Sequence, residues 1–227
     1  MGYLGAFYRT YALDFWGFGE SGKKRETYAV SDFVSLVDQF MEQLGIVHAP
    51  LVGHSMGGTV SLSVAIKYPE RVSKVAVVGS PMVGSSLAPL LKLAGKRPIA
   101  FMLFNMMGVF RTGMRLYSPI ICKDPRFPEM MDRDLSRTTV ESFLRSIASL
   151  RRTDLIPMLP QIKVPAMGFY GDKDVIVHPQ QWQPMLAGIP HASIQRFPAS
   201  GHFPMLEEPA VFSQKLKAFL DQDISVS

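Results

Sequence analysis

The sequence predicts an α/β fold: a mostly parallel sheet flanked by helices, with a helical segment inserted into it. Three observations carry that expectation. Short apolar strands alternate with helical segments over residues 8–78 and again over 164–220, the rhythm breaks between 81 and 160, and the residues suited to chemistry directly follow strands. Parallel neighbours need a crossover between them, and a helix is the usual one. The expected organisation is a core of residues 1–80 and 161–227 with residues 81–160 as a helical insertion.

Residues 8–13 read as a strand ending at Asp14, and the glycines of Phe15-Trp16-Gly17-Phe18-Gly19-Glu20-Ser21-Gly22 mark the loop after it. Over residues 31–44, Phe33, Leu36, Val37, Phe40, Met41 and Leu44 recur at the three-and-four spacing of one helical face, with Ser31 as N-cap and Gly45 as terminator. Residues 48–52 form the next strand, which runs into Gly53-His54-Ser55-Met56-Gly57-Gly58; a helix over 59–68 is stopped by Pro69, and 72–78 is again a strand. The inserted part is rich in Met, Phe and Arg, and its clearest helical face is Val140, Phe143, Leu144, Ile147 and Leu150. The alternation resumes with a strand at 164–170, a helix near 180–186, a strand at 192–197 and a last helix over 208–220, with Pro209 in its first turn.

Composition excludes several classes. A chain of 227 residues can build one sizeable core, and 47% hydrophobic with 19% charged residues is neither a disordered, a collagen-like nor a coiled-coil composition. The single cysteine, Cys122, excludes an internal disulfide framework and a cysteine-cluster metal site, and fits a reducing, cytoplasmic setting. The apolar run at 99–110 contains Asn105 and is well short of the roughly 20 residues a membrane-spanning helix needs; its Met and Phe residues read as core or as ligand wall. The first residues show no secretory pattern, and Ala6 stands where a myristoylation signal wants Ser or Thr. The net charge of +5 belongs to the insertion, since residues 82–154 hold 12 Lys and Arg against 6 Asp and Glu. No nucleic-acid-binding motif accompanies that charge, so no nucleic-acid partner is expected; the segment reads as a solvated basic face, at most weakly drawn to anionic ligands or a membrane surface.

Gly53-His54-Ser55-Met56-Gly57 fits G-x-S-x-G, a pattern that holds a serine on a tight strand-to-helix turn. The string alone is common; its setting, with an apolar strand before and an apolar helix after, is what the turn requires. A serine nucleophile needs a base, and the base needs a carboxylate to fix its tautomer. Asp174, in Gly171-Asp172-Lys173-Asp174, and His202, in Ser200-Gly201-His202, both directly follow predicted strands, where open parallel sheets place their sites. Asp172 competes with Asp174, and His178 with His202. His54 is expected to be packed or hydrogen-bonded beneath the serine rather than catalytic, while His48 and His191 read as ordinary and Asp14 as structural.

The motifs and the order Ser55, Asp174, His202 resemble the α/β-hydrolase superfamily, in its capped branch of serine esterases and carbon–carbon hydrolases. The Asp14–Ser21 loop looks like the family's D-x-x-G-x-G-x-S, residues 53–58 like its G-H-S-M-G-G elbow, and 171–174 and 200–202 like its acid and histidine loops. The resemblance implies Ser55 as nucleophile, His202 as general base and acid, Asp174 as orienting carboxylate, the Met56 amide as an oxyanion donor and the 81–160 insertion as a cap. It implies a serine hydrolase cleaving an ester or similar acyl bond of an apolar small molecule through an acyl-enzyme, without metal or organic cofactor. A carbon–carbon hydrolase of a diketone acid and a catalytically impaired ligand-binding module are the alternatives. Family members carry further N-terminal strands and a His-Gly turn that supplies a second oxyanion amide; no His-Gly occurs here. The favoured expectation is a fragment or misplaced gene start, with a sheet opened in its middle; the alternatives are a rearranged fold in which residues 1–7 or a partner fill the gap, and a non-catalytic remnant.

Overall fold

The computed structural model describes residues 2–23, 27–89, 91 and 107–222. The apolar run at 99–110 therefore lies outside the described residues as far as position 106. Strands β1 (Ala49–His54), β2 (Val72–Val78), β3 (Ala166–Gly171) and β4 (Ser193–Phe197) form one parallel sheet in that order, with Gly53 beside Val77, Val77 beside Gly168 and Gly171 beside Phe197. The α/β expectation and the parallel sheet are what the structure shows.

Alternation along the strands explains the layering. Val75, Val77, Ala166 and Tyr170 face a core that includes Phe33 of helix α2 (Val30–Gln43), Val60 and Leu62 of α3 (Met56–Lys67) and Met185 of α7 (Trp182–Gly188). Ala76, Val78, Met167, Phe169 and Phe197 point the other way, onto Phe212, Leu216 and Phe219 of α9 (Pro209–Asp221). A sheet buried on both faces needs near-continuous apolar strands, and β2 is such a strand apart from Ser73 and Lys74. Lys74 is only 4% exposed. Its ammonium donates to the carbonyls of Phe219 (3.2 Å), Leu220 (2.5 Å) and Gln222, the unpaired end of α9, where a cation also meets the negative end of the helix dipole.

Helix α2 begins one residue before its expected start. Ser31 is not its cap: the N-cap is Ala29, and Asp32 turns back to accept the Ala29 N–H at 2.7 Å and the Thr27 hydroxyl at 2.6 Å. At the other end the Gly45 and Ile46 amides bond the carbonyls of Glu42 and Met41, so Gly45 terminates the helix as expected.

The strand expected at 8–13 does not form; residues 9–15 carry no regular element. A strand exists only when its backbone groups find a ladder, and among the described residues β1 pairs with β2 alone. The sheet is accordingly continuous, with β1 at its edge, rather than opened in the middle. The first turn, α1 (Gly2–Gly5), packs instead against α9: Leu4 joins the Phe169 and Phe212 core, the Tyr8 hydroxyl bonds Asp221, and Lys217 sits 4.5 Å from the Phe7 ring centroid.

Between β2 and β3 lie α4 (Met107–Ile121), α5 (Phe127–Ser136) and α6 (Val140–Leu150). Thr139 caps α6 by accepting the Ser142 N–H at 3.1 Å, and Leu144, Ile147 and Leu150 are its buried face, as the spacing predicts. Polar bonds tie α6 to the core: the Ser142 hydroxyl donates to the Gly17 carbonyl at 2.8 Å, and the Val30 amide to Ser149 Oγ at 3.0 Å. Among the described residues, no helix is long and apolar enough to cross a membrane.

Replacing Lys74 with Met should leave the α9 carbonyls without their donor while preserving side-chain bulk. The expected cost is about 1–3 kcal/mol, read as a lower urea midpoint with unchanged slope.

Candidate active site

All the residues singled out for chemistry sit at the C-terminal ends of parallel strands. Ser55 joins β1 to α3 with φ 52° and ψ −121°, and among the described residues it alone, glycines aside, has positive φ. Such a conformation costs of order 1–3 kcal/mol and persists where neighbours enforce it. Here the Ser55 amide donates to the Val78 carbonyl of β2 at 2.8 Å, and the Ser55 carbonyl accepts from Gly58 at 3.0 Å and Thr59 at 3.3 Å, starting α3.

Steric demand is uneven across the glycines of the turn. A Cβ on Gly53 would stand 2.2 Å from the Gly57 carbonyl oxygen, and one on Gly58 would stand 1.9 Å from Ser80 Oγ. Gly57 would meet nothing within 4 Å. The second glycine of G-x-S-x-G is thus not the one packing requires; Gly58 is, because α3 leaves the sheet against Ser80.

Asp174 and His202 meet directly. Nδ1 of His202 lies 2.7 Å from Asp174 Oδ2, with the two residues 3% and 8% exposed. The other carboxylate oxygen accepts the Ile176 and Val177 amides at 2.8 and 2.9 Å. An ionised carboxylate only accepts, so Nδ1 carries the hydrogen and Nε2 is left with its lone pair, the tautomer a general base needs. The His202 ring lies over Gly79, where a Cβ would stand 3.0 Å from Nδ1. Gly79 follows Val78, the partner of the Ser55 amide, so serine and imidazole flank the same end of β2. Among the described contacts, no hydrogen bond joins the Ser55 hydroxyl to His202.

The competitors are accounted for elsewhere. Asp172 forms a two-point ion pair with Arg196, at 3.0 Å to Nε and 2.8 Å to Nη2. Nδ1 of exposed His178 accepts the Gln180 amide at 3.3 Å, and exposed His191 bonds the Val164 carbonyl at 3.0 Å. His48 is exposed on the approach to β1. Asp14 is structural as expected, its carboxylate accepting the Glu20 amide at 2.9 Å.

Two sets of partners escaped the sequence reading. Glu207 accepts the Gly201 amide at 2.6 Å with one oxygen and the Lys123 amide at 3.1 Å with the other, while Glu208 accepts the Ser200 hydroxyl at 2.5 Å. Their one signal is an acidic pair a few residues beyond the histidine. For His54, expected to be packed or hydrogen-bonded, what escaped is the partner: its Nε2 is 2.9 Å from the His202 carbonyl, and its ring lies 4.6 Å from both His202 and Phe203, centroid to centroid. Desolvation, then the neighbouring His202 imidazole, hold its pKa far below the ordinary range, at about 3. The ring is therefore neutral, with its hydrogen on Nε2. Beside the acid loop, Val83, Leu87, Ile176, Val177, His178 and Asp174 line part of a cavity of about 400 Å³. Among the described residues, no three His, Cys, Asp or Glu side chains converge as metal ligands would.

The parallel sheet thus carries a strained serine after its first strand and an acid–histidine pair after its third and fourth. The chain belongs to the Alpha/beta hydrolase family, whose model matches residues 1–215. It is 28% identical over 230 residues to a 2-hydroxy-6-oxononadienedioate/2-hydroxy-6-oxononatrienedioate hydrolase of a Pseudomonas species, covering 96% of this chain and 79% of that protein. Among solved structures, an alpha/beta hydrolase enzyme from a Medee basin deep-sea metagenome library is 26% identical, with a TM-score of 0.75 over 92% of this chain and 78% of the other. An esterase from Exiguobacterium antarcticum shares the fold at 21% identity, with a TM-score of 0.78 over 92% and 80% of the two chains.

Gly58→Ala should destabilise the protein by about 1–3 kcal/mol, as overpacking does, whereas Gly57→Ala should be neutral or slightly stabilising; paired urea titrations compare them. His54 gives a pH signature. Unfolded, it takes a proton near its ordinary value of 6.5; folded, not until about 3. Its contribution is complete above pH 6.5 and is lost as pH falls from there toward 3. Substituting Gln should flatten the pH 4–6 slope of unfolding free energy by up to about 1.4 kcal/mol per pH unit.

Proposed function

We propose that the protein is a serine hydrolase that cleaves an ester or similar acyl bond of an apolar small molecule through an acyl-enzyme. The observation that carries this reading is the buried 2.7 Å bond between His202 Nδ1 and Asp174, formed beside the serine held at positive φ. Ser55 Oγ attacks the substrate carbonyl as its proton passes to His202 Nε2, and Asp174 stabilises the imidazolium. The oxyanion is drawn to the Met56 amide at the N-terminus of α3, where unpaired N–H groups and the helix dipole favour negative charge. His202 then returns the proton to the leaving group, and water releases the acyl group by the same steps in reverse. These side chains supply nucleophile, base and charge stabilisation themselves, so the reading calls on no metal or organic cofactor. Residues 81–160 act as the cap: Phe127 packs 4.6 Å from Phe203, and the apolar walls of the cavity suit an apolar substrate part.

A second reading keeps the same residues. The Pseudomonas relative is named for a substrate that contains no ester, so its hydrolysis must break a carbon–carbon bond. The excess of basic residues at 82–154 would attract such a dicarboxylate.

A fluorophosphonate probe should label Ser55, and Ser55→Ala should abolish labelling and lower kcat by at least about a thousandfold. A folded wild-type protein that resists the probe overturns the proposal, and saturable binding without turnover would mark a binding module instead. Rates on short p-nitrophenyl esters against a vinylogous diketone acid separate the two hydrolytic readings.

A further inference from the structure

We propose that His54 is a positioning residue that sets where His202 stands relative to Ser55, by donating its Nε2 hydrogen to the His202 backbone carbonyl. The inference rests on the serine-hydrolase reading and adds to it the element that spaces nucleophile and base. His54 is the last residue of β1 and is covalently joined to Ser55, so one end of its link is fixed by the sheet through the register of His54 with Val78. The other end is the 2.9 Å contact to the His202 carbonyl, supported by the ring packing 4.6 Å from both His202 and Phe203, which also touch each other. The remaining holds on the histidine loop come from other elements: Glu207 and Glu208 take Gly201 and Ser200, and the Lys173 amide bonds the Ser200 carbonyl at 3.0 Å. Only the Lys173 bond reaches the acid loop; the two glutamates lie just past the histidine loop itself. Among the described contacts only His54 ties it to the serine's own strand.

The chemistry of the ring suits the task. A neutral imidazole donates one hydrogen along a fixed direction, and a half-buried neutral donor places no second positive charge beside the imidazolium that forms on His202 during attack. An arginine or lysine at position 54 would supply a donor but would oppose that charge. A shift of about 1 Å in the base is enough to cost a hundredfold in rate without touching substrate binding.

Three substitutions separate position from bulk. His54→Phe keeps a ring without a donor, His54→Asn is polar but too short to reach the carbonyl, and His54→Gln places an N–H near the original Nε2. The expected result is that Phe and Asn lower kcat on a p-nitrophenyl ester at least about tenfold with KM within about twofold, while Gln stays within about threefold of wild type. The far-downfield proton signal of the His202 Nδ1–Asp174 bond should persist in His54→Gln and vanish or broaden in the other two. If His54→Phe does not fold, His54→Asn carries the comparison. Unchanged kcat in a donorless variant, an equal loss in His54→Gln, or persistence of the downfield signal in the donorless variants overturns the proposal. A wild-type protein that shows the signal but turns over no substrate refutes the hydrolase reading alone, and the proton signal then decides the positioning role by itself.

Discussion

Four strands running the same way have one consequence that governs everything else in the molecule. Each return crosses a face of the sheet and starts again at the far end, so every strand delivers its last residues to the same edge. Ser55 after β1, Gly79 and Ser80 after β2, the acid loop after β3 and the histidine loop after β4 are neighbours for that reason, although well over a hundred residues of chain separate the first from the last. The register does the rest. With His54 beside Val78 and Gly171 beside Phe197, the loops leave the sheet at matched heights, and His202 and Asp174 meet there.

Much of this is legible in the sequence because it is local. An apolar run such as 72–78 bounded by Arg71 and Gly79 has no other good conformation, and the spacing of Leu144, Ile147 and Leu150 places them on one face wherever the helix goes. Ser55, Asp174 and His202 are visible because each follows such a run. What escapes is what depends on a partner distant in the chain. Residues 8–13 have a strand's composition but no ladder to join. Asp32, not Ser31, closes the start of α2 because a longer side chain can reach back to Ala29. Asp172 and Asp174 are equivalent on paper and are distinguished by Arg196, which arrives on the neighbouring strand and occupies the first of them.

The site concentrates energetic cost and compensates it contact by contact. A carboxylate withdrawn from water is expensive unless its lone pairs are engaged, and Asp174 has two backbone amides and an imidazole for the purpose. The backbone at Ser55 is strained, and the carbonyl of Val78 together with the first turn of α3 holds it there. Close approach is possible only because Gly53 and Gly58 lack side chains, so the neighbourhood of the serine tolerates little added volume. Even the single lysine buried in β2 follows this rule, with three carbonyls around its ammonium.

The two oxygens of Glu207 hold the amide of Gly201, next to the histidine, and the amide of Lys123, just past the C-terminal end of α4. The carboxylate is thus a shared hinge pin between the insertion and the histidine loop. Should the insertion swing away from the sheet, either the Lys123 grip lets go or the pull passes through Glu207 to the backbone beside His202. A displacement that begins in the helices between β2 and β3 would reach the base before it reached the nucleophile, because Ser55 is anchored to β2 and has no such tether to those helices among the described contacts.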